Sequence, residues 1–320
     1  MKNILILGGA GFIGSNLAEL FLKKGYNVTV IDGLLNNSGG RIDNISSFIR
    51  EIDFINERIE DVNNLSGILN KNEIIIDSMA WTCHLSAIKD PFYDLDLNVR
   101  SHLYFLEQIK KYEIKPEKII YLGSRTQYGN PLQNEINEET PMNPLDIQGI
   151  HKLTSENYYR IFTDICGLNV ISIRMIGVFG RNQPFEREDL GLVGNLIRDG
   201  LNNKEITVYG EGRQREIVYV DDLVNIIFKV TQKKFNGFNA FNVGGEVISI
   251  EKVGKKLIKI IGKGSVIYKK LPKNIENIDI KNYIFNVDKI KSKIGDIILS
   301  DIDESLKCTI DYFKKKLTIV

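Results

Sequence analysis

A glycine-rich segment near the start of the chain has the residue types and spacing of a phosphate-binding turn. Gly8, Gly11 and Gly14 fall in the string Gly-Gly-Ala-Gly-Phe-Ile-Gly, directly after the apolar run 4–7. Glycines let a backbone turn sharply and approach a pyrophosphate, and the N-terminus of a following helix offers N–H donors. Asp32 closes the second apolar run, where a carboxylate accepts hydrogen bonds from a ribose diol and repels a 2′-phosphate. This arrangement predicts a dinucleotide site that prefers NAD to NADP.

Short apolar strands alternate with amphipathic helices through the first half of the chain and would position this turn. The predicted strands are 4–7, 28–31, 54–55, 74–76, 119–122 and 170–174, and the predicted helices are 13–24, 62–69, 99–112 and 148–166. Parallel strands need helical crossovers, so this order is typical of an α/β protein with a doubly wound parallel sheet covered on both faces.

The pattern becomes less regular after residue 175. The later predicted strands are 206–209, 217–220 and 238–243, and the later predicted helices are 191–199, 221–232, 250–261 and 303–315. We predict a dinucleotide-binding domain over 1–175 and a smaller C-terminal α/β substrate-binding lobe over 176–320, with crossings of the chain between them. The ligand cleft is expected between the two parts.

Composition narrows the classes of function. With 320 residues and 43% hydrophobic side chains, the chain can bury a large core without disulfides or metals. The 42 basic and 41 acidic residues leave a net charge of +1, which favours neither a nucleic-acid nor a membrane partner. Cys83, Cys166 and Cys308 form no Cys-x-x-Cys pair, so we predict neither a disulfide framework nor a metal site. A reducing cytoplasm is the expected location.

Several motifs in a consistent order resemble the nucleotide-sugar epimerase/dehydratase branch of the extended short-chain dehydrogenase/reductase family. The glycine segment is followed by Ser124 to Gly129, by Lys152 with Glu156, and by Tyr219-Val-Asp-Asp222. The match runs nearly from end to end. The resemblance implies a Rossmann-type fold, NAD as cofactor and a nucleotide-diphosphate sugar as substrate.

The resemblance also implies a catalytic set, from which one member is missing. Ser124 matches the family's hydroxyl position and Lys152 the lysine of its Tyr-x-x-x-Lys motif, but Gln148 stands where the tyrosine belongs. The family's tyrosine acts as general base, and a glutamine amide cannot take up that proton. Gln148 is expected to be a hydrogen-bonding stand-in.

Three residues offer themselves as substitutes for the tyrosine. His84 is predicted in the loop after the fourth strand, beside the expected nicotinamide; Tyr128 follows Ser124; His151 adjoins Lys152 but projects about 100° away on a helix. Packing or surface roles are the simpler explanation for Tyr128 and His151. We therefore favour His84 as a catalytic residue.

Further contacts follow from the family positions. The predicted cofactor contacts are Gly8, Gly11, Phe12, Ile13, Gly14, Asp32, Ile59, Ala80, Trp81, Asn98 and Lys152, and the predicted substrate contacts are Ser124, Thr126, Gly177, Arg187 and Arg215. Gly177 replaces an asparagine usual in the family. Sugar 4,6-dehydratases carry an acidic pair where Arg125 and Thr126 stand here, so dehydration is not expected.

These residues lead to an enzyme hypothesis with open alternatives. The chain is expected to oxidise a nucleotide-activated hexose or heptose at C4, as a 4-dehydrogenase or 4-epimerase for surface polysaccharide biosynthesis. A ketoreductase of the same family, or a catalytically degenerate protein that still binds NAD or nucleotide sugar, are the alternatives. The resemblance also implies a homo-oligomer, either dimer or tetramer. Helix 99–112, with His102, Phe105 and Ile109, is one candidate for its interface, beside the helix that holds the Tyr-x-x-x-Lys positions. The nucleotide and the sugar stay open.

Overall fold

A seven-stranded parallel sheet forms the centre of the protein. The computed structural model describes residues 2–187, 191–202, 205–210, 212–276, 279 and 282–318. The strands of the sheet are β1 (Asn3–Leu7), β2 (Asn27–Ile31), β3 (Asp53–Ile55), β4 (Ile74–Asp77), β5 (Lys118–Ser124), β7 (Val170–Met175) and β11 (Phe238–Val243). Their order across the sheet is β11-β7-β5-β4-β1-β2-β3. Such strands are buried on both faces, which explains why β1 and β4 are nearly unbroken apolar runs.

Smaller sheets lie beside the large one. They consist of β8 (Gly177–Phe179), β10 (Gln214–Tyr219) and β12 (Glu246–Ser249); of β9 (Ile206–Tyr209) and β13 (Val266–Lys269); and of β6 (Glu135–Ile136) and β14 (Ile284–Phe285). Most of these strands follow residue 175, but β11 returns to pair with β7. The segment 238–243 therefore belongs to the large sheet, and the chain passes from one part of the protein to the other more than once.

Helices cover both faces of the large sheet. They are α1 (Phe12–Lys23), α2 (Leu65–Lys71), α3 (His84–Lys89), α4 (Pro91–Leu95), α5 (Ser101–Lys111), α6 (Ile147–Cys166), α7 (Leu192–Leu201), α8 (Val220–Thr231), α9 (Ile250–Ile261), α10 (Lys273–Glu276), α11 (Asp288–Ile294) and α12 (Ile302–Thr318). Alternate residues of β1 enter different cores: Ile4 packs in a cluster with Leu223 of α8, and Leu5 in a cluster with Phe105 of α5. The predicted doubly wound α/β fold is confirmed.

Helix α6 carries the most functional residues, and its ends are set by local chemistry. Asp146 caps its first turn by accepting a hydrogen bond from the Gly149 N–H at 2.6 Å, and Gly167 ends it at φ 60°. Gln148 and Lys152, one helical turn apart, lie on its buried face. This face therefore presents both side chains toward the end of the large sheet.

The three residues of helix α5 named for an oligomer interface are buried. His102, Phe105 and Ile109 are all 0% exposed, because this face of α5 packs into the core beside the sheet. The prediction that these three residues form an interface is wrong, and oligomerisation itself stays a prediction. None of the described helices is both long and apolar enough to cross a membrane.

Candidate active site

One large cleft opens at the carboxyl ends of the parallel strands. It has a volume of about 370 Å³ and is lined by Gly8, Asp32, Ser124 and Lys152 from the first part of the chain and by Val193 from the second. Ligands of doubly wound sheets bind at this end, where the strands hand over to loops and helix N-termini. The cleft therefore brings the glycine turn and the predicted catalytic set to one site.

The glycine turn fits a dinucleotide pyrophosphate. Gly8, Gly11, Phe12, Ile13 and Gly14 all line the cleft at the start of α1. Gly8 has φ +71°, and a Cβ on Gly14 would lie 2.3 Å from the Gly8 carbonyl oxygen and 2.8 Å from Gly9 Cα. Since both of those atoms are backbone, only glycine fits here. The first turn of α1 lines the cleft, and the N–H groups of a helix N-terminus can donate to a phosphate.

Asp32 braces the same turn while lining the cleft. Its Oδ2 accepts a hydrogen bond from the Ala10 N–H at 3.0 Å, and its Oδ1 accepts one from the Leu34 N–H at 2.9 Å. Burial raises the pKa of this carboxyl, and the backbone donors oppose that rise. Hydrogen-bonded in this way, the Asp32 carboxyl is a fixed acceptor in the lining of the cleft, and its contact with a ribose stays a prediction.

At the adenine end of the cleft, one side chain departs from the family pattern. Arg58 replaces the usual carboxylate and is held by Asp96 at 2.9 Å and Glu60 at 3.3 Å. Ile59 lines the cleft next to it. With the Arg58 guanidinium engaged by acidic neighbours, Ile59 remains the predicted contact of this segment.

The segment after β4 is fixed by hydrogen bonds to neighbouring protein groups. Ala80 and Thr82 line the cleft, but Trp81 and Asn98 are not among the described lining residues. The Asn98 side chain accepts from the Trp81 N–H and donates to the Trp81 carbonyl, both at 2.9 Å, and the Trp81 indole donates to the Asn37 carbonyl at 3.1 Å. Trp81 and Asn98 therefore hold this loop in place, and their contacts with the cofactor stay predictions.

A π-helical turn over 96–100 orients Asn98 for this task. Such turns insert one residue into a helix and recur at functional sites. The Ser155 hydroxyl of α6 donates to the Asn98 carbonyl at 2.6 Å. The loop after β4 is therefore fixed to α6 through Asn98.

Ser124 ends β5 at the cleft and already uses its acceptor capacity. Its Oγ accepts from the Thr126 N–H at 3.2 Å and from the Thr126 hydroxyl at 2.9 Å. A serine oxygen has two lone pairs, so Ser124 is arranged to donate its hydrogen to a substrate oxygen. Thr126 is buried and absent from the described lining of the cleft. Thr126 thus supports Ser124, and its substrate contact stays a prediction.

Lys152 lies in the cleft, and its ammonium group is held in place by its neighbours. Its Nζ donates to the Leu122 carbonyl at 3.0 Å and lies 5.1 Å from the centre of the Tyr121 ring. Burial lowers the pKa of Lys152 to about 8, against the opposing effect of Asp77 and Asp94. At pH 7 the ammonium form therefore still dominates, and Lys152 acts as a donor.

Two hydrogen bonds connect the segment of Trp81 and His84 to the start of α6. Gln148 is buried and its Nε2 donates to the Trp81 carbonyl at 2.6 Å. His84 lines the cleft and its Nδ1 lies 2.5 Å from Asp146 Oδ2. The prediction that His84 lies in a loop is wrong, because it is the first residue of α3. Sequence reasoning missed Asp146, although an Asp directly before a helix is a typical cap signal.

The other two candidates for the missing base lie outside the described lining of the cleft. The His151 Nδ1 lies 2.5 Å from Asp94 Oδ1. The Tyr128 hydroxyl donates to Asn242 at 2.7 Å and accepts from Arg174 at 2.7 Å, and burial raises the pKa of Tyr128 to about 12. A phenol with so high a pKa stays protonated at neutral pH, so Tyr128 is structural.

On the substrate side, the predicted residues separate into two groups. Gly177 and Arg187 line the cleft, and Arg187 donates to the Thr82 carbonyl at 3.1 Å. Arg215 lies outside the described lining, and its guanidinium is held by Asp279 at 2.8 Å and by Asn282 at 2.9 Å. The substrate contact of Arg215 stays a prediction.

Comparisons with known proteins agree with this geometry. A profile described as the NAD dependent epimerase/dehydratase family matches residues 4–244. A putative UDP-glucose 4-epimerase of Methanocaldococcus jannaschii is 27% identical over 316 residues, covering 97% of this chain and 98% of the relative. A solved UDP-glucose 4-epimerase from Thermotoga maritima, with UDP-glucose, is 28% identical with a TM-score of 0.86 over 99% of this chain and 100% of its own. A solved UDP-glucuronic acid 4-epimerase from Bacillus cereus, with UDP-glucuronic acid and NAD, is 26% identical with a TM-score of 0.87 over 98% and 100%.

Proposed function

Because the chain belongs to the NAD dependent epimerase/dehydratase family, we propose that it oxidises a nucleotide-activated hexose or heptose at C4 and acts as a 4-epimerase. NAD is its cofactor, and a nucleotide-sugar enzyme is what its relatives support. The observation that carries the proposal is the single cleft in which the glycine turn and Asp32 meet Ser124 and Lys152.

Each residue takes a role that its contacts allow. Ser124 donates a hydrogen bond to the C4 oxygen, and the Lys152 ammonium holds the nicotinamide ribose and keeps the site electropositive. Gln148 fixes the segment after β4, and Arg187 offers a guanidinium to the diphosphate. Bound NAD supplies the hydride acceptor at C4 and, in an epimerase, the hydride that returns.

The lobe after residue 175, apart from β11, is proposed to hold the sugar nucleotide. The two similar solved structures that we compared are 4-epimerases with UDP-sugars, which is why epimerisation is preferred to net dehydrogenation. Dehydration is disfavoured because Arg125 and Thr126 stand after Ser124, and neither serves as a carboxylic acid or base. A cytoplasmic location and a role in surface polysaccharide biosynthesis stay predictions.

The test is turnover of purified protein with NAD and a panel of UDP-, GDP-, CDP- and dTDP-sugars. Products are followed by NMR, and absorbance near 340 nm reports reduced cofactor. We expect inversion at C4 of one sugar without build-up of reduced cofactor, and a loss of at least a hundredfold in Lys152→Met.

Two other outcomes would redirect the proposal. Stoichiometric growth of the 340 nm band with a keto-sugar product would indicate a dehydrogenase instead. Tight binding of one nucleotide sugar with no conversion, in protein shown to bind NAD, would favour the catalytically degenerate alternative.

A further inference from the structure

The roles assigned so far leave the proton of the sugar hydroxyl without a destination. Gln148 carries an amide in place of a phenol, and its Nε2 is committed to the Trp81 carbonyl. The Ser124 Oγ already accepts two hydrogen bonds. Lys152 is mostly protonated at pH 7. Gln148, Ser124 and Lys152 are therefore hydrogen-bond donors in this site, and none of them accepts a proton readily.

We propose that His84, held by Asp146, accepts and returns the proton of the sugar hydroxyl, an inference that rests on the proposed function. His84 lines the same cleft as Ser124, Gln148 and Lys152, with 36% of its side chain exposed. In this proposal the proton is transferred at Nε2, because Nδ1 lies 2.5 Å from Asp146 Oδ2.

Asp146 is built to remain a carboxylate beside His84. Its side chain is only 6% exposed, and its second oxygen accepts from the Gly149 N–H at 2.6 Å at the N-terminus of the 20-residue helix α6. Burial alone would raise the pKa of Asp146, but the bonds from His84 and Gly149 lower it overall. A buried anion at Nδ1 fixes the ring and stabilises the imidazolium that proton uptake creates.

The first turn of α6 holds the segment that carries His84 at two points. Gln148 binds the Trp81 carbonyl, and Asp146 binds His84 itself. Helix α6 thus lacks its own phenol at position 148 but uses that residue and its cap to hold an imidazole in the cleft. Gln148 in place of the tyrosine and the position of His84 in the cleft are therefore linked through the first turn of α6.

Exposure to the cleft separates His84 from the other histidines. His102 and His151 also bind an Asp through Nδ1, at 2.6 Å and 2.5 Å. His102 is 0% exposed, and neither is among the described residues that line the cleft. Pairing with a carboxylate is therefore general in this chain, whereas access to the substrate is particular to His84.

The step balances without any further reactant. Oxidation at C4 breaks one C–H bond and one O–H bond, leaving a ketone; the C–H electron pair goes with the hydride, and the O–H proton passes to His84 Nε2. Reduction reverses both transfers, with the proton returned to the ketone oxygen. Asp146 keeps its hydrogen bond to Nδ1 throughout and exchanges no proton.

The test compares wild type with His84→Gln, and with His151→Gln as the matched control. For a nucleotide sugar that wild type epimerises, we expect His84→Gln to lose about 10²- to 10⁴-fold in kcat, the usual share of general acid–base catalysis. His151→Gln should stay within about twofold. NAD affinity and thermal unfolding of His84→Gln should match wild type, which excludes misfolding as the cause.

Two further variants separate a catalytic role of His84 from a structural one. Adding Gln148→Tyr to His84→Gln places a phenol four residues before Lys152 and should recover at least tenfold of the lost kcat. Asp146→Asn keeps a capping residue but should lower kcat about a hundredfold. In ¹⁵N-histidine spectra recorded without ligands, His84 should be protonated at Nδ1 in wild type and lose that tautomer preference in Asp146→Asn.

The outcomes distinguish this proposal from the one it rests on. If wild type converts no sugar in the panel, the proposed function fails, and the tautomer measurement still tests the His84–Asp146 pair. If wild type is active and His84→Gln retains kcat within about threefold, the proposed function stands and the role of His84 is refuted. A spectrum in which His84 is protonated at Nε2 alone would also refute the arrangement.

Discussion

The two sides of the cleft differ in how closely they follow their family. The cofactor wall is formed by Gly8, Gly11, Phe12, Ile13 and Gly14 with Asp32, Arg58 and Ile59. It keeps the three glycines of the family pattern and the acidic residue after β2, and departs from the pattern at Arg58. The sugar wall, formed by Ser124, Gln148, Gly177 and Arg187, departs from that pattern at two of its four positions, Gln148 and Gly177.

The difference teaches which parts of such a site can be replaced. On the cofactor wall the constraint is the space around the backbone, since a single Cβ at Gly14 would collide with Gly8 and Gly9. On the sugar wall the requirement is a group that handles a proton or a hydrogen bond, and several side chains can meet it from different elements. The steric limit at Gly14 therefore restricts the residue type more strictly than the need for a proton-transferring group does.

The largest expected effect is on the cofactor wall. Gly14→Ala should weaken NAD binding by about a thousandfold, or ~4 kcal/mol, because its Cβ would lie 2.3 Å from the Gly8 carbonyl oxygen. Titration calorimetry with NAD measures this. The matched control is Gly177→Ala, whose Cβ would lie 3.6 Å from the nearest atom, the Glu216 carbonyl oxygen. Equal losses in both variants would contradict the contrast between the walls.

A smaller effect is expected on stability at Lys152, where the two walls meet. Burial lowers the pKa of Lys152 from its usual 10.5 to about 8, so between those pH values the unfolded chain binds the extra proton. Wild-type stability should rise with pH across that window. Lys152→Met, which has no charge to bury, should be more stable than wild type by about 3 kcal/mol at pH 7.

Urea unfolding at pH 7 and at pH 10 measures this difference. The advantage of Lys152→Met should be full below pH 8 and shrink as the pH rises toward 10.5. An exposed control, Lys71→Met, should show no such dependence, because the Lys71 side chain is 61% exposed. An advantage that does not change with pH would mean that apolar packing, and not the buried charge, is responsible.

The smallest effect is expected on the sugar wall. Gly177→Asn restores the amide that the family usually has here, and its Cβ meets only ordinary contacts at 3.6 and 3.8 Å. We expect the KM for the nucleotide sugar to fall by about threefold, worth under ~1 kcal/mol, while NAD affinity stays unchanged. Steady-state kinetics decide this, and a change in NAD affinity would show that the walls are not independent.

Much of the fold was predictable because regular elements leave a periodic apolar pattern. The predicted helix 250–261 and the strands 206–209 and 238–243 agree residue for residue with α9, β9 and β11. The pairing of β11 with β7 was not predictable, because a short apolar strand does not encode which sheet it joins. Helices α3 and α4 were missed because each is too short to show a helical period.

The site was predictable where one backbone segment makes it and less so where distant side chains meet. All five predicted residues of 8–14 line the cleft. The hydrogen bonds that Trp81, Asn98 and Thr126 form with neighbouring protein groups could not be predicted from the sequence. Asp146 and His84 are 62 residues apart in the chain, so their pairing appears only in three dimensions.

The indole of Trp81 has a further consequence, because it is the one tryptophan of the chain. It lies 4.9 Å from the ring of Tyr93, edge to face, and its backbone is held by both Asn98 and Gln148. The protein therefore carries a native fluorophore inside the segment that bears the proposed proton carrier. Its emission spectrum gives an optical signal, without any label, for whether that segment shifts when cofactor or sugar enters.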